Sequence, residues 1–181
     1  MYTNLLLDRI REIDICLEND CYIAAMSLAL TLPDICGKAE YPMEHTVAKR
    51  YIMWYNCFIG QYEDPHDDMP YMSGEVAYNL RNSILHSGNS TLTTKDIKNE
   101  RCRVDHFELE IGKTLGGDTS MVEYCGPLEE KRISKRTYQI NVRTFCMKLC
   151  RVSEGYYKEN PEKFNFFEYN FVPDYDPEYP I

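Results

Sequence analysis

Three residues in one short segment have side chains that could act together on an anionic ligand. Arg81, Asn82 and His86 lie in the string LRNSILHSG. Arginine offers a fixed positive fork to an anion, and histidine titrates at about pH 6.5, so it can take or give a proton near neutrality. Arg81 and His86 are five residues apart, about 140° around an α-helix, so their side chains do not stack directly. We expect the long arginine side chain to reach the imidazole over a shared ligand.

The helix that carries these residues is predicted over about Ser73–His86, with Gly88 as a typical C-cap residue. A helical wheel groups its apolar residues on one inward face: Val76, Ala77, Leu80 and Ile84. The opposite face is a polar stripe beside one leucine: Tyr78, Asn82, His86 and Leu85. A monomer would leave Tyr78 and Leu85 in water, so the pattern predicts a homodimer that covers this face.

Four further charged residues are candidates for supporting or binding roles. Asp34, Lys38 and Glu40 lie in a predicted connection over residues 34–42, where glycine and proline act as breakers. In one interpretation Asp34 is a turn residue and Lys38 and Glu40 are solvated. In the other, these residues reach the groove beside Arg81, and a carboxylate among them fixes the Arg81 guanidinium. Arg50 is either a boundary residue bonded to a carboxylate or a ligand for phosphate.

Composition and charge exclude several classes of protein. The 181 residues carry a net charge of −9, which argues against a protein that coats nucleic acid through bulk positive charge. The eight cysteines form no C-x-x-C pair, and the first apolar run is too short for a signal peptide. We therefore expect reduced thiols, a cytoplasmic location, no membrane span, no bound metal and no cofactor.

The remaining elements follow from periodicity and breaker residues. We predict a mainly α fold, a bundle of four to five helices with a small β-hairpin at about 104–126, in one domain over residues 1–160. An extended aromatic tail over residues 161–181 should pack on the body or on a partner subunit. The other predicted segments are helices Asn4–Glu18, Tyr22–Leu32, Glu44–Ile59 and Lys135–Tyr157, with hairpin strands Phe107–Ile111 and Ser120–Tyr124.

The string Arg-Asn-x-x-x-His resembles the motif of the HEPN superfamily, in which an arginine and a polar residue precede a histidine by four to six positions. Arg81, Asn82 and His86 match it. Three blocks, LTLPDICGKAEYP, KRYIMWYNCFI and LRNSILHSG, also resemble a group of bacterial HEPN-like proteins.

The resemblance implies a helical bundle that dimerises so that two Arg–His motifs face each other, and metal-independent cleavage of RNA in a defence or toxin–antitoxin system. His86 would act on the ribose 2′-hydroxyl or the 5′ leaving oxygen, and Arg81 would stabilise the phosphorane. Asn82 would orient the histidine or hold a phosphate oxygen. A protein antitoxin would be a further partner. The alternative is a noncatalytic module that binds a nucleotide or a protein through the same groove. A purely structural assembly role, resting on the aromatic tail, is a third reading.

Overall fold

The computed structural model describes residues 5–63, 69–88, 103–127, 130 and 132–169. Its α-helices are α1 (Leu5–Glu18), α2 (Tyr22–Ala29), α3 (Leu32–Glu40), α4 (Val47–Phe58), α5 (Gly74–Asn82) and α6 (Val142–Glu159). A π-helical turn continues α5 over Ser83–Ser87, and short 3-10 turns follow α4 and α6 at Gly60–Tyr62 and Pro161–Phe164. The strands are β1 (His106–Glu110), β2 (Thr119–Cys125) and β3 (Arg132–Asn141).

The prediction of a mainly α bundle is wrong, because the described chain combines helices with a three-stranded mixed sheet. The strand order is β1-β3-β2, with β3 parallel to β1 and antiparallel to β2. The predicted hairpin partners, β1 and β2, therefore do not pair with each other. β3 lies between them, and its second half is the most buried strand segment, with Tyr138 and Ile140 in the core.

The predicted last helix begins seven residues too early. Residues 135–141 belong to β3, and α6 begins only at Val142. Asn141 ends the strand and caps the helix, since its side-chain oxygen accepts a hydrogen bond from the Thr144 amide at 3.0 Å. Strand pairing to β1 and β2 satisfies backbone groups that a helix would have satisfied internally.

The predicted connection over residues 34–42 is instead helix α3, which ends at Glu40. Pro33 lies in its first turn, where a proline has no hydrogen bond to lose, so it begins this helix rather than ending the one before. Gly37 lies where α3 meets α4: a Cβ there would be 2.7 Å from the Arg50 carbonyl oxygen. This glycine is therefore a contact residue between helices and not a breaker.

Helices and sheet share one hydrophobic core. Trp54 is fully buried in it, and four apolar residues spaced three and four apart in α1 are also buried: Leu6, Ile10, Ile13 and Leu17. Of the aromatic tail, Phe164 packs edge-on against Tyr156 and Tyr157 of α6. Residues 170–181 of the tail lie outside the described residues. Within the described ranges, every helix is too short or too polar to cross a membrane.

The close contact at Gly37 generates a prediction about stability. Gly37→Ala should lower the free energy of unfolding by about 1–3 kcal/mol, because the new methyl group would push α3 away from α4. Gly155→Ala is the matched control: it also lies in a helix, but apart from the adjacent residues and the backbone of its own helix no atom is within 4 Å of its Cβ position. Relief of glycine's backbone entropy should make that variant up to about 1 kcal/mol more stable. Urea unfolding measures both, and equal effects at the two sites would contradict the assigned packing.

Candidate functional site

Helix α5 reaches the site from a well-fixed N-terminus. The Ser73 hydroxyl accepts a hydrogen bond from the Val76 amide at 3.2 Å, and the Gly74 amide donates to the Asn56 side chain at 2.7 Å. A Cβ at Gly74 would be only 2.6 Å from the Ile52 carbonyl oxygen, so glycine allows α5 to lie directly on α4. The predicted inward residues Val76, Ala77 and Leu80 are buried in this contact, and Ile84 is half-buried. Arg81 is thereby set at the end of a rigid helix.

The Arg81 guanidinium is held by two oxygen acceptors. Its Nε donates to Asp34 Oδ2 at 3.0 Å, and its Nη1 donates to Asn82 Oδ1 at 2.9 Å. The side chains of Arg81 and Asp34 are 19% and 18% exposed, so the ion pair is mostly screened from water. The predicted contact between an acidic residue of the 34–42 segment and the Arg81 fork is thus present, through Asp34. The Arg81 guanidinium also lies 5.7 Å from the centre of the Tyr78 ring.

His86 lies on the π-helical turn and not on the α-helix that the sequence predicts. The Gly88 amide donates to the Ser83 carbonyl at 2.8 Å, an i to i+5 bond, and Gly88 has a φ of 58° that suits glycine. The wider turn changes the angular separation of Arg81 and His86 from that of an α-helix. His86 is exposed, and π-helical turns of this kind are frequent at functional sites.

A buried tyrosine, Tyr51, lies next to the ion pair. Tyr51 of α4 has no exposed surface, and its ring meets the ring of Tyr78 edge-on at 5.3 Å between centres. Tyr78 is therefore half-buried and packs inward, which corrects its predicted place on an outer stripe. Burial raises the pKa of Tyr51, the Asp34 carboxylate raises it further, and Arg81 opposes both.

Asp34 is the residue that joins the parts of the site. Burial raises the pKa of its carboxyl group, against the lowering effects of Arg81 and Arg50. Its Oδ1 atom is buried, as is the Tyr51 hydroxyl, and neither has a hydrogen-bond partner among the described residues. The ion pair with Arg81 does not fully offset the cost of removing this carboxylate from water.

Two of the predicted supporting residues, Lys38 and Arg50, lie in a pocket that Asp34 also lines. Lys38 and Arg50 line a pocket of about 330 Å³ together with Asp34 and the C-terminal segment Phe166–Tyr169. Arg50 Nη1 donates to the Glu44 carbonyl at 2.9 Å, so the expected bond to a carboxylate is not the one that forms. Its Nε is buried and has no acceptor among the residues that the structure describes.

Glu40 is not part of this group. It accepts hydrogen bonds from the Tyr156 hydroxyl at 2.5 Å and from Lys163 Nζ at 2.6 Å, at the C-terminal end of α3. These contacts lower the pKa of its carboxyl group, Lys163 most strongly. Glu40 therefore ties the C-terminal segment to α3 and does not reach Arg81.

The comparisons with known proteins and the search for metal-ligand groups both gave negative results. No protein-family model, curated protein or solved structure matches this chain. In the described part of the chain, no three histidine, cysteine, aspartate or glutamate side chains come together as a metal-ligand group. The functional argument therefore rests on the geometry around Arg81, Asp34 and His86.

The buried carboxylate gives a prediction with a defined sign. Because the pKa of Asp34 is raised, its contribution to stability is fully present below its ordinary pKa of 3.8 and is lost as pH rises through the raised folded value. The wild type should thus gain stability relative to Asp34→Asn as the pH falls from about 7 to about 4. Urea unfolding at several pH values measures this difference.

Glu40→Gln is the matched control, because the pKa of Glu40 is lowered. Its contribution is present above the ordinary pKa and is lost as pH falls, so the wild type should lose stability relative to Glu40→Gln over the same range. Slopes of the same sign for both variants would contradict the assigned environments.

Proposed function

We propose that the protein cleaves single-stranded RNA without a metal ion, using Arg81 and His86. The observation that carries the proposal is the arginine fork fixed by Asp34 and Asn82 at the end of α5, with an exposed histidine on the next turn. Arg81 uses one N–H at Nε and one at Nη1. A guanidinium has five N–H donors, so three remain for phosphate oxygens.

The chemistry needs no nucleophile from the protein. Neutral His86 takes the proton of a ribose 2′-hydroxyl, and the 2′-oxygen then attacks the adjacent phosphorus. Arg81 stabilises the negative charge that builds on the phosphorane oxygens. The bond from phosphorus to the 5′-oxygen breaks, a second acid protonates that oxygen, and a 2′,3′-cyclic phosphate remains.

A second copy of the chain would supply that acid. In a homodimer with two copies of Arg81 and His86 in one cleft, one histidine acts as base and the other as acid. The pairing of each Arg81 with Asp34 supports this arrangement, because it removes the repulsion that two free guanidinium groups would have in one cleft. Leu85, half-buried on the same turn as His86, would lie in the dimer contact.

The relationship to the HEPN superfamily is part of this proposal at the level of the motif and its chemistry. It does not extend to a helical bundle, because the described chain contains the mixed sheet. We place the protein in the cytoplasm, in a defence or toxin–antitoxin setting with a protein antitoxin. The seven described cysteines are free, which fits a reducing compartment.

The ion pair also favours a second candidate function. Asp34 already neutralises the charge of Arg81, and a mostly buried pair is a poor electrostatic catalyst unless a ligand displaces one partner. A noncatalytic module that binds a nucleotide or a protein partner at this groove would need no such displacement.

The catalytic proposal predicts cleavage that resists chelation. Purified protein should cleave single-stranded RNA in excess EDTA and leave 2′,3′-cyclic phosphate ends, read by gel and mass spectrometry. His86→Ala should reduce the rate by at least about 100-fold, the contribution expected of a general base. His45→Ala, a second exposed histidine outside the site, is the control and should cleave at the wild-type rate. Cleavage that survives His86→Ala would overturn the assignment, and no cleavage across a broad RNA panel would favour the binding module.

The dimer proposal predicts a mass of about twice 21.3 kDa by light scattering. Leu85→Glu should shift the protein toward the monomer without changing its helical content, because a charge would be placed in the contact. Leu115→Glu, at a leucine that is 63% exposed between β1 and β2, is the matched control and should leave the mass unchanged. A monomer at high micromolar concentration would exclude the shared cleft.

A further inference from the structure

The pocket beside Asp34 combines aromatic rings with basic side chains. It has a volume of about 330 Å³ and is formed by α3, α4 and the C-terminal segment Phe166–Tyr169. Ligand pockets commonly have volumes from about 300 Å³ upward, so it is large enough for one small ligand unit.

The aromatic side of the pocket is a connected row of rings. Phe164 is 6.4 Å from Phe166, Phe166 is 6.4 Å from Phe167, and Phe167 meets Tyr169 edge-on at 5.8 Å between centres. Phe164 is buried against Tyr156, which anchors the row to α6. Tyr169 is 60% exposed and Phe166 is 37% exposed, and because Phe164 and Lys38 lie against the Phe166 ring, Tyr169 offers the larger ring surface to a ligand.

Basic groups lie over the same rings. Lys38 Nζ is 4.4 Å from the centre of the Phe166 ring, and the Arg9 guanidinium is 5.5 Å from that of Phe167. Arg50 adds a buried Nε without an acceptor among the described residues. The two acids of the lining differ: Asp34 is paired with Arg81, whereas Glu168 is exposed and opposes an anion.

We propose that this pocket binds a nucleotide, with its base against Tyr169 and its phosphate at Lys38 and Arg50. Every base has a π-face that stacks on an aromatic ring, and a lysine or arginine beside that ring meets the phosphate. Asp34 lines this pocket and holds Arg81, so a nucleotide bound here lies next to the proposed cleavage site. The inference rests on the proposed function, because it names the part of the RNA strand beside Arg81, but its test measures binding and not cleavage.

The experiment measures the anisotropy of a short fluorescein-labelled single-stranded RNA with the full chain carrying His86→Ala, so that the probe stays intact. Adding Tyr169→Ala should weaken binding by about fivefold or more, the range of one lost base stack. Tyr124→Ala is the matched control, because this tyrosine is 51% exposed but lies on β2, and it should leave the affinity unchanged.

Two charge variants test the phosphate half of the pocket. Lys38→Gln should weaken binding and reduce its dependence on salt concentration, because one phosphate contact is lost. Glu168→Gln should strengthen binding at low salt, because it removes the exposed acid of the lining. Circular dichroism and urea unfolding of each variant show that the fold is kept.

Competition with AMP distinguishes the two sources of a nucleotide. Displacement of the RNA by AMP, lost in Tyr169→Ala, assigns the pocket to a free nucleotide. No displacement, together with weaker RNA binding in Tyr169→Ala, assigns it to a nucleotide within a strand.

The inference is overturned if neither probe binds, or if binding is the same in Tyr169→Ala, Lys38→Gln and the parent chain. If the wild type does not cleave RNA but its binding is weakened by these substitutions, the proposed cleavage is overturned and the nucleotide pocket stands. If the wild type cleaves RNA but the substitutions do not change binding, the nucleotide pocket is overturned and the proposed cleavage stands.

Discussion

The backbone of α4 lies in close contact with its two neighbouring helices, α3 and α5. α3 meets α4 at Gly37 and α5 meets it at Gly74, and at each position a Cβ would lie less than 3 Å from an α4 carbonyl oxygen. Helices that approach this closely bring side chains from α3 and α5 together across α4. The ion pair between Asp34 and Arg81, 47 residues apart in sequence, depends on this spacing.

That ion pair lies in an environment with an electrostatic cost. Tyr51 fills the space below it with an aromatic ring whose hydroxyl has no partner among the described residues, and Asp34 keeps one buried oxygen unpaired. Burying polar groups without partners costs stability. The hydrogen bonds to Asp34 and Asn82 hold Arg81 in one orientation, which an arginine in water would not keep. A fixed arginine beside an exposed histidine is what the proposed chemistry requires.

The C-terminal segment and the sheet are joined to these helices through α6. Tyr156 packs against Trp54 and Phe58 of α4 and donates to Glu40 of α3, so it connects three helices around the core. Lys163 adds a second bond to Glu40 at 2.6 Å. These contacts hold the ring row from Phe164 to Tyr169 against α3, and they shape the pocket next to Asp34. The fold that carries the site is therefore a combination of helices and sheet, and not the helical bundle alone.

The sequence by itself determined the features that depend on near neighbours. The apolar spacing of α5 identified its buried face, and a carboxylate of the 34–42 segment was one of the partners expected for Arg81; in the structure that partner is Asp34. Only the tertiary structure decided that residues 135–141 form β3, because strand pairing depends on hydrogen bonds to distant segments and leaves a weak local signal. It also decided that Gly37 lies within a helix, since the reason for that glycine is the Arg50 backbone of another helix. Local periodicity carries no information about such contacts, so they had to come from the packed structure.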